Sequence, residues 1–292
     1  MLTPITRGDL PCWEIRHRNQ TLVIAEQGAQ VLSYQRDGEH PLIWLSEEAA
    51  YHRGQGVRGG VPLCWPWFGG LDFNPEKIRQ QYALTEPPAH GLVRQQPWAL
   101  QHSQEEADGI TLRFGLSDQA DRQSLPPVEP TLTVRLDDGL SLALNNHNHG
   151  NTPVWISQAL HSYFAVSDSR QVTVHGLDTC PYVDALDDWQ PHRQQGPLTV
   201  VGETDRLYLQ LPDTLHIDDP GWQRRLTLSA SGSRSAVVWN PWVDKSRRLT
   251  QFAGDAWQKM LCIETARVLD NALLLGPGEQ HSMVVRFVTT AL

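Results

Sequence analysis

Short apolar runs rich in β-branched residues recur along the whole chain, separated by Gly, Pro, Asn or Asp. Runs of this length with these boundaries are typical of strands. Asp137-Asp138-Gly139 stands between two alternating runs and predicts a hairpin turn. The clearest predicted strands are Leu22–Ile24, Ile110–Phe114, Thr131–Leu136, Val172–Val174, Leu207–Leu209, Leu226–Leu228, Val237–Trp239, Leu261–Ile263 and Val284–Val288. The pattern therefore predicts an all-β protein.

Helical periodicity is scarce, and the only fair candidates for helices are Pro75–Ala83 and Arg247–Gln258. No repeat of fixed period is visible, which argues against a propeller or a solenoid. No linker divides the chain, although 119–130 forms a polar loop that contains proline. We therefore expect residues 1–292 to form a single domain, a large antiparallel β-sandwich of two sheets.

The run from Val154 to Val166 is long enough for a central strand and carries a histidine, His161, in its middle. Strand side chains stand at fixed heights on a sheet, so an imidazole held there could act as a proton donor. The alternative is a core histidine whose two nitrogens are both hydrogen bonded. The choice depends on which other groups converge on His161.

The segment Gly54–Gly70 combines glycines, prolines and three aromatic residues. Glycine allows close approach of the backbone to a ligand, and aromatic side chains offer flat apolar faces. No Gly-Lys-Ser/Thr follows, so the segment is not a nucleotide-binding loop. A rigid loop between sheets fits the composition equally well, although the 11 tryptophans in the chain favour a sugar pocket.

Composition restricts the class of partner. The net charge of −9 argues against general nucleic-acid binding, so an anionic ligand would need local arginines. No stretch is long and apolar enough for a membrane span, and the N-terminal residues lack the apolar core of a secretory signal. The cysteines Cys12, Cys64, Cys180 and Cys262 are widely spaced, which favours reduced thiols in a cytoplasmic protein.

Six short motifs occur in order along the chain. They are Arg58-Gly59-Gly60-Val61-Pro62, Ala89-His90-Gly91-Leu92-Val93-Arg94, Leu160-His161-Ser162-Tyr163-Phe164, Gly202-Glu203-Thr204-Asp205-Arg206, Val238-Trp239-Asn240-Pro241-Trp242 and Ile263-Glu264. In this order they resemble the hexose-6-phosphate mutarotases (glucose-6-phosphate 1-epimerases), a branch of the aldose 1-epimerase superfamily. The resemblance implies the galactose mutarotase-like supersandwich and the interconversion of α and β anomers of a phosphorylated sugar.

The resemblance also implies roles for individual residues. His161 would be the general acid at the ring oxygen and Glu264 the general base at the C1 hydroxyl. Asp205 would bind sugar hydroxyls, and His90 would lie beside the reacting end. Arg58 and Arg94 would clamp the phosphate and the substrate. Some members carry Gln where this chain has Ala89, so the ligand contact of that glutamine is not expected here.

Opening of a pyranose ring requires the same residue types. Opening a pyranose removes a proton from the C1 hydroxyl and delivers one to the ring oxygen, so a base and an acid must flank C1. A Glu264 anion and a His161 cation would each favour the other's charge, which predicts a bell-shaped pH profile. No metal or other cofactor is required. His147 and His149 have same-face spacing and could bind a metal, but a polar turn fits them better.

Three alternatives remain open at this point. The chain could be a mutarotase for neutral sugars, or a glycosidase or lyase that uses Asp205 and Glu264 as paired carboxylates. It could also be a carbohydrate-binding β-sandwich without activity, in which His161 is structural. We expect a cytoplasmic monomer that acts on a small phosphorylated sugar and binds neither nucleic acid nor membrane.

Overall fold

The computed structural model describes residues 1–292, and strands dominate it from end to end. The strands are β1 (Leu2–Arg7), β2 (Leu10–His17), β3 (Gln20–Ala25), β4 (Val31–Arg36), β5 (Leu63–Cys64), β6 (Trp98–Glu105), β7 (Ile110–Leu116), β8 (Val128–Leu136), β9 (Leu140–Asn148), β10 (Val154–Ile156), β11 (Gln158–Leu160), β12 (Tyr163–Ala165), β13 (Thr173–His175), β14 (Pro181–Asp184), β15 (Gln190–Arg193), β16 (Leu198–Thr199), β17 (Thr204–Leu209), β18 (Thr214–Asp219), β19 (Arg224–Ser231), β20 (Ser235–Asn240), β21 (Met260–Arg267), β22 (Leu273–Leu275) and β23 (Gln280–Ala291). The prediction of an all-β protein is confirmed.

Helices are short and few. The two α-helices are α1 (Glu76–Arg79) and α2 (Trp242–Ser246), and single 3₁₀ turns lie at Leu71–Phe73, Pro220–Trp222, Ala256–Lys259 and Leu269–Asn271. The predicted helix at Pro75–Ala83 is therefore reduced to one turn, and the predicted helix at Arg247–Gln258 is wrong. That helix lies earlier, directly after β20, and the chain turns at Gln251, whose φ is 56°. This left-handed backbone conformation interrupts any helix there.

Two large antiparallel sheets carry most of the strands. One has eight strands in the order β15-β14-β17-β20-β21-β11-β5, with β12 also paired to β21. The other has nine, in the order β16-β13-β18-β19-β23-β9-β8-β7-β6. The predicted hairpin is confirmed, since β8 and β9 pair up to Leu136 opposite Leu140. The expected pair of sheets is supplemented by a four-stranded sheet of β1–β4 and a small β10–β22 pair.

A cluster of 50 buried residues fills the space between the two large sheets. Val238 of β20 and Ile263 of β21 point into it from the eight-stranded sheet, and Phe287 of β23 does so from the nine-stranded sheet. Because successive strand side chains alternate between faces, Cys262 and Glu264 point to the other face of the eight-stranded sheet. The candidate site lies on this second face.

The sequence suggested that His161 lies within one continuous strand, but the structure does not have such a strand. The predicted run is three short strands, and His161 with Ser162 forms the gap between β11 and β12. The pairing with β21 keeps one register across the gap, with Leu160 opposite Thr265 before it and Tyr163 opposite Cys262 after it. His161 is therefore level with Glu264. Its own N–H donates to the Pro62 carbonyl (3.0 Å), so the ladder is interrupted there without a shift of register.

Candidate active site

The imidazole of His161 and the carboxyl group of Glu264 meet on the outer face of the eight-stranded sheet. Their Nδ1 and Oε1 atoms are 3.4 Å apart, and the side chains are 11% and 2% exposed. The His161 ring stacks on Tyr163, with centroids 4.7 Å apart and planes 5° from parallel. The stack holds the ring in one orientation. Two residues 103 positions apart in the chain thus form one acid–base pair.

Burial sets the protonation of this pair. It lowers the pKa of His161 well below its ordinary value, and the charges of the Arg58 and Arg94 guanidinium groups act in the same direction. Burial also raises the pKa of Glu264 well above its ordinary value, with a further contribution from Asp205. Both shifts favour the neutral forms, because desolvation penalises a charge. These directions run against a His161 cation beside a Glu264 anion in the free protein, and the protonation of the pair stays a prediction.

The pair also leaves hydrogen-bonding atoms unused. His161 Nδ1 and Glu264 Oε2 are buried and have no hydrogen-bond partner in the protein. Buried polar atoms are nearly always paired, and exceptions mark strain or a place where a ligand binds. The alternative of a core histidine with both nitrogens hydrogen bonded does not describe His161.

His90 lies beside this pair, with its ring centroid 5.4 Å from that of His161. Its Nδ1 accepts a hydrogen bond from the Gly69 N–H (3.3 Å) and is 3.3 Å from the Cys64 thiol. The proton of the neutral ring therefore belongs on Nε2, which leaves Nε2–H as a donor. Burial, together with Arg94 and Arg58, lowers the pKa of His90 to about 3. His90 is thus a neutral hydrogen-bond donor across the physiological pH range.

The backbone at His90 is held in a left-handed conformation, with φ of 66°. The next residue, Gly91, has φ of 79°, and a Cβ atom there would lie 2.0 Å from the Trp65 carbonyl oxygen. Only glycine fits such a close approach of two backbones. The glycine of the motif therefore serves to bring His90 against the strand that carries Cys64.

Arg58 and Arg94 line the same cavity as His90 and His161, a space of about 340 Å³. Neither guanidinium has a carboxylate partner within ion-pair distance. The only polar contact of the Arg58 guanidinium is a long one, 3.5 Å, to the Tyr163 hydroxyl. Two arginines without acidic partners in a chain of net charge −9 create a local positive potential. A dianion would be attracted to this end of the cavity.

Asp205 lies on β17, on the same face as Glu264. Its backbone is opposite Trp239 of β20, which in turn is opposite Cys262 of β21. Burial raises the pKa of Asp205, and the nearby Lys245 ammonium opposes that rise. Lys245 Nζ is 3.6 Å from Asp205 Oδ2 and 3.0 Å from Glu203 Oε1. An acidic group with one cationic partner thus lies near Glu264.

No place in the site was assigned to Lys245 from the sequence. Lys245 instead contacts Asp205, while Arg247 is exposed and pairs with Asp244 (3.7 Å). The position of Lys245 in α2, directly after the Trp239–Trp242 motif, was the available signal. Gln251 was also missed. It lines the cavity, and a glutamine in a loop carries no sequence signature.

One group of side chains could hold a metal ion. Donor atoms of His161, Cys262 and Glu264 all lie within 4.8 Å of one another. An imidazole, a thiolate and a carboxylate would suit Zn²⁺. Burial raises the pKa of the Cys262 thiol well above its ordinary value, however, so the thiolate form is disfavoured. His147 lies on β9 rather than in a turn, and its ring is 4.0 Å from that of His149.

Two further features concern the whole chain. All four cysteines are unpaired and buried. No helix is long and apolar enough to cross a membrane.

Comparison with known proteins agrees with this geometry. The model of the aldose 1-epimerase family matches residues 11–288. An Escherichia coli K12 protein provisionally named glucose-6-phosphate 1-epimerase is 32% identical over 253 residues, which cover 86% of this chain and 81% of the relative. A Salmonella typhimurium protein of the same provisional name is 31% identical over 269 residues, which cover 90% of this chain and 87% of the relative.

Solved structures give the same result. The crystal structure of a Salmonella typhimurium protein provisionally identified as a mutarotase superposes with a TM-score of 0.88 at 27% identity, covering 100% of this chain and 94% of that one. A galactose mutarotase-like protein from Clostridium acetobutylicum superposes with a TM-score of 0.76 at 14% identity, covering 100% and 99%. The second likeness shows the fold alone. The predicted galactose mutarotase-like sandwich is therefore confirmed.

Proposed function

We propose that this chain, which belongs to the aldose 1-epimerase family, interconverts the α and β anomers of glucose 6-phosphate or a closely related hexose 6-phosphate. The observation that carries the proposal is the arrangement around one cavity. The His161 ring of the His161–Glu264 pair and the unpaired guanidinium groups of Arg58 and Arg94 line one cavity. A sugar with a reactive C1 and an anionic group at C6 would engage both the acid–base pair and the arginines.

Ring opening moves two protons and breaks one bond. Glu264 takes the proton of the C1 hydroxyl, His161 gives a proton to the ring oxygen, and the C1–O5 bond breaks as the C1 carbonyl forms. The aldehyde rotates about C1–C2, and the two steps reverse on its other face. Each well-placed proton transfer accelerates a reaction by about 10²- to 10⁴-fold. No other group is needed for this step.

The protonation state that burial favours in the free protein, with Glu264 protonated and His161 neutral, is the one from which ring closure begins. Opening leaves Glu264 protonated and His161 neutral, which is the state that burial favours. The opposite state, a Glu264 anion and a His161 cation, holds the same single proton on the other partner, 3.4 Å away. The pair therefore titrates as a unit. Opening starts from one arrangement of this proton and closing from the other.

The remaining side chains bind the sugar. The His90 Nε2–H is a neutral donor beside C1, and Asp205, held by Lys245, accepts hydrogen bonds from sugar hydroxyls. The provisional names of the E. coli and Salmonella relatives specify a 6-phosphorylated glucose, and the unpaired arginines support carrying that specificity to this chain. Arginine binds a phosphate through two parallel charge-assisted hydrogen bonds.

The substrate is tested by measuring α/β exchange of glucose 6-phosphate and of glucose by NMR, with and without the protein. We expect fast exchange of the phosphorylated sugar. Arg58→Ala should raise its KM by about 100-fold, the cost of a lost charge-assisted contact of about 3 kcal/mol. Its KM for glucose should change less than about twofold. Arg113→Ala, at an exposed position on β7, is the matched control, and equal effects on both sugars would instead support a mutarotase for neutral sugars.

We also propose that residues 1–292 act as one domain, as a monomer and in the cytoplasm. The shared core of the two large sheets supports the single domain. The four unpaired cysteines fit a reducing compartment. Light scattering of the purified chain measures the oligomeric state directly.

A further inference from the structure

The loop 54–59 forms one wall of the cavity. Most of its backbone carbonyl groups accept hydrogen bonds from the protein, whereas most of its backbone N–H groups donate none. Its carbonyl groups are satisfied one after another, and most of them accept from side-chain amides. Gln27 Nε2 donates to the Gln55 carbonyl (2.7 Å), and Gln251 Nε2 donates to the Gly56 carbonyl (2.9 Å). Gln30 Nε2 donates to the carbonyls of Val57 (3.1 Å) and Gly59 (2.7 Å).

The same loop leaves its N–H groups free. The Arg58 carbonyl accepts from the Ser46 N–H (3.1 Å), so each carbonyl from Gln55 to Gly59 has a partner. Four consecutive N–H groups, from Gly56 to Gly59, have no acceptor in the protein, and those of the cavity-lining residues Gly56, Val57 and Arg58 are open to water or to a bound ligand.

Arg94 adds a second observation at the same place. Its guanidinium carbon lies 4.0 Å from the position that a Cβ atom of Gly56 would occupy. The absence of a side chain at Gly56 therefore leaves the space beside the guanidinium open. Consecutive backbone N–H groups next to an unpaired guanidinium are the donor set that proteins use for phosphate.

We propose that the N–H groups of Gly56, Val57 and Arg58 form a backbone anion site for a phosphate monoester. In this site Gln27, Gln30 and Gln251 are positioning residues that draw the loop carbonyls away from the cavity. The proposal rests on the proposed function only for the identity of the ligand, the 6-phosphate of a hexose. Without the glutamines the loop could turn its carbonyl oxygens towards the phosphate, which would repel it.

Gln251 is the most suitable of the three for a test. It is only partly buried, whereas Gln27 and Gln30 are buried and their replacement risks misfolding. It also joins two segments, since its Oε1 accepts from the Ala50 N–H (2.8 Å) while its Nε2 donates to Gly56. Gln251→Met removes both contacts without adding charge. Gln251→Glu keeps the acceptor and loses the donor.

The matched control is Gln81, an exposed glutamine that makes the same pair of contacts elsewhere. Its Nε2 donates to the Trp155 carbonyl and its Oε1 accepts from the Trp155 N–H, both at 2.8 Å. Gln81→Met should therefore reproduce any general loss of loop packing. It should leave phosphate binding unchanged, because Gln81 does not line the cavity of the arginines.

Two readouts separate this inference from the proposed function. Binding of inorganic phosphate, measured by calorimetry, requires no turnover, and anomer exchange gives KM and kcat for glucose 6-phosphate. We expect Gln251→Met to weaken phosphate binding and to raise KM by about three- to tenfold, the value of one hydrogen bond. The value of kcat and the KM for glucose should stay within about twofold, by the same free-energy scale.

The possible outcomes each decide the question. Weaker phosphate binding in Gln251→Met without any anomer exchange in the unmodified protein would retain the anion site and reject the proposed function. Exchange with the same KM in Gln251→Met and in Gln81→Met would reject the role of Gln251. An effect confined to Gln251→Glu would show that added charge, and not the loop conformation, weakens binding, and would likewise overturn the proposal.

Discussion

Glu264→Gln distinguishes a neutral His161–Glu264 pair from an ion pair, because the two arrangements predict a different dependence of stability on pH. The folded protein raises the pKa of Glu264, mainly through burial. Folded molecules therefore keep a proton that unfolded molecules release above about pH 4.3. The stabilisation by this group is complete below the unfolded pKa and is lost as the pH rises through the folded pKa. Glutamine has the same shape and no proton to lose.

The size of the effect follows from one proton. Between the two pKa values the free energy of unfolding falls by about 1.4 kcal/mol per pH unit. The chain has 292 residues, and the entropy of unfolding is about 2.1 cal/mol/K per residue, so this loss lowers Tm by about 2 °C per pH unit. The Tm of Glu264→Gln minus that of the unmodified protein should therefore grow with pH. The gain should stop once Glu264 is ionised in the folded state as well.

The assay is thermal unfolding in matched buffers from about pH 5 to pH 8, the range above the ordinary carboxyl pKa. Glu86→Gln, at an exposed position, is the control for the loss of a carboxylate, and its Tm difference should not vary with pH. Titrating groups that do not contact Glu264 cancel in each difference, and the contribution of His161, which does contact it, is measured separately from the Tm difference of His161→Asn over the same pH range. A Tm difference for Glu264→Gln that is constant or that falls with pH would refute the reasoning. It would show that Glu264 is ionised and stabilised by His161.

Two further predictions concern activity. The bell-shaped profile of kcat/KM, corrected for the ionisation of the phosphate near about pH 6, should have its acidic limb below the ordinary histidine pKa of about 6.5. The reason is that burial lowers the pKa of His161; an acidic limb at or above that value would contradict a buried pair. Lys245→Met should raise the KM for glucose 6-phosphate and for glucose alike, by about tenfold, because Asp205 loses its cationic partner. An effect on the phosphorylated sugar alone, in the same exchange assay, would place Lys245 at the phosphate instead.

The strand content of the fold was predictable because local patterns encode it. Period-two alternation and β-branched runs identified segments such as Val284–Val288, which lies within β23. The Asp137–Gly139 turn was predictable for the same reason, since turn residues act locally. The four-stranded sheet of β1–β4 was not foreseen, because the sequence carries no signal for how strands divide among sheets.

The sequence could name the members of the candidate site but not the electrostatics that the fold gives them. His161 and Glu264 could be named because motif order is a property of the sequence. The lowered pKa of His161 and the raised pKa of Glu264 depend on how completely both are buried, which arises only when β11, β12 and β21 pair. The three glutamines show the same limit, since Gln27, Gln30 and Gln251 meet one loop from distant parts of the chain.

The central claim is that His161 and Glu264 exchange the anomers of a hexose 6-phosphate. Magnetisation transfer between the α and β H1 signals of glucose 6-phosphate measures this exchange directly, at saturating substrate and equal concentrations of the unmodified protein, His161→Asn and Glu264→Gln. Exchange should be fast with the unmodified protein and should slow by at least about 100-fold in each variant, the usual worth of a general acid or base. Either variant exchanging the anomers as fast as the unmodified protein would contradict the assignment of the pair.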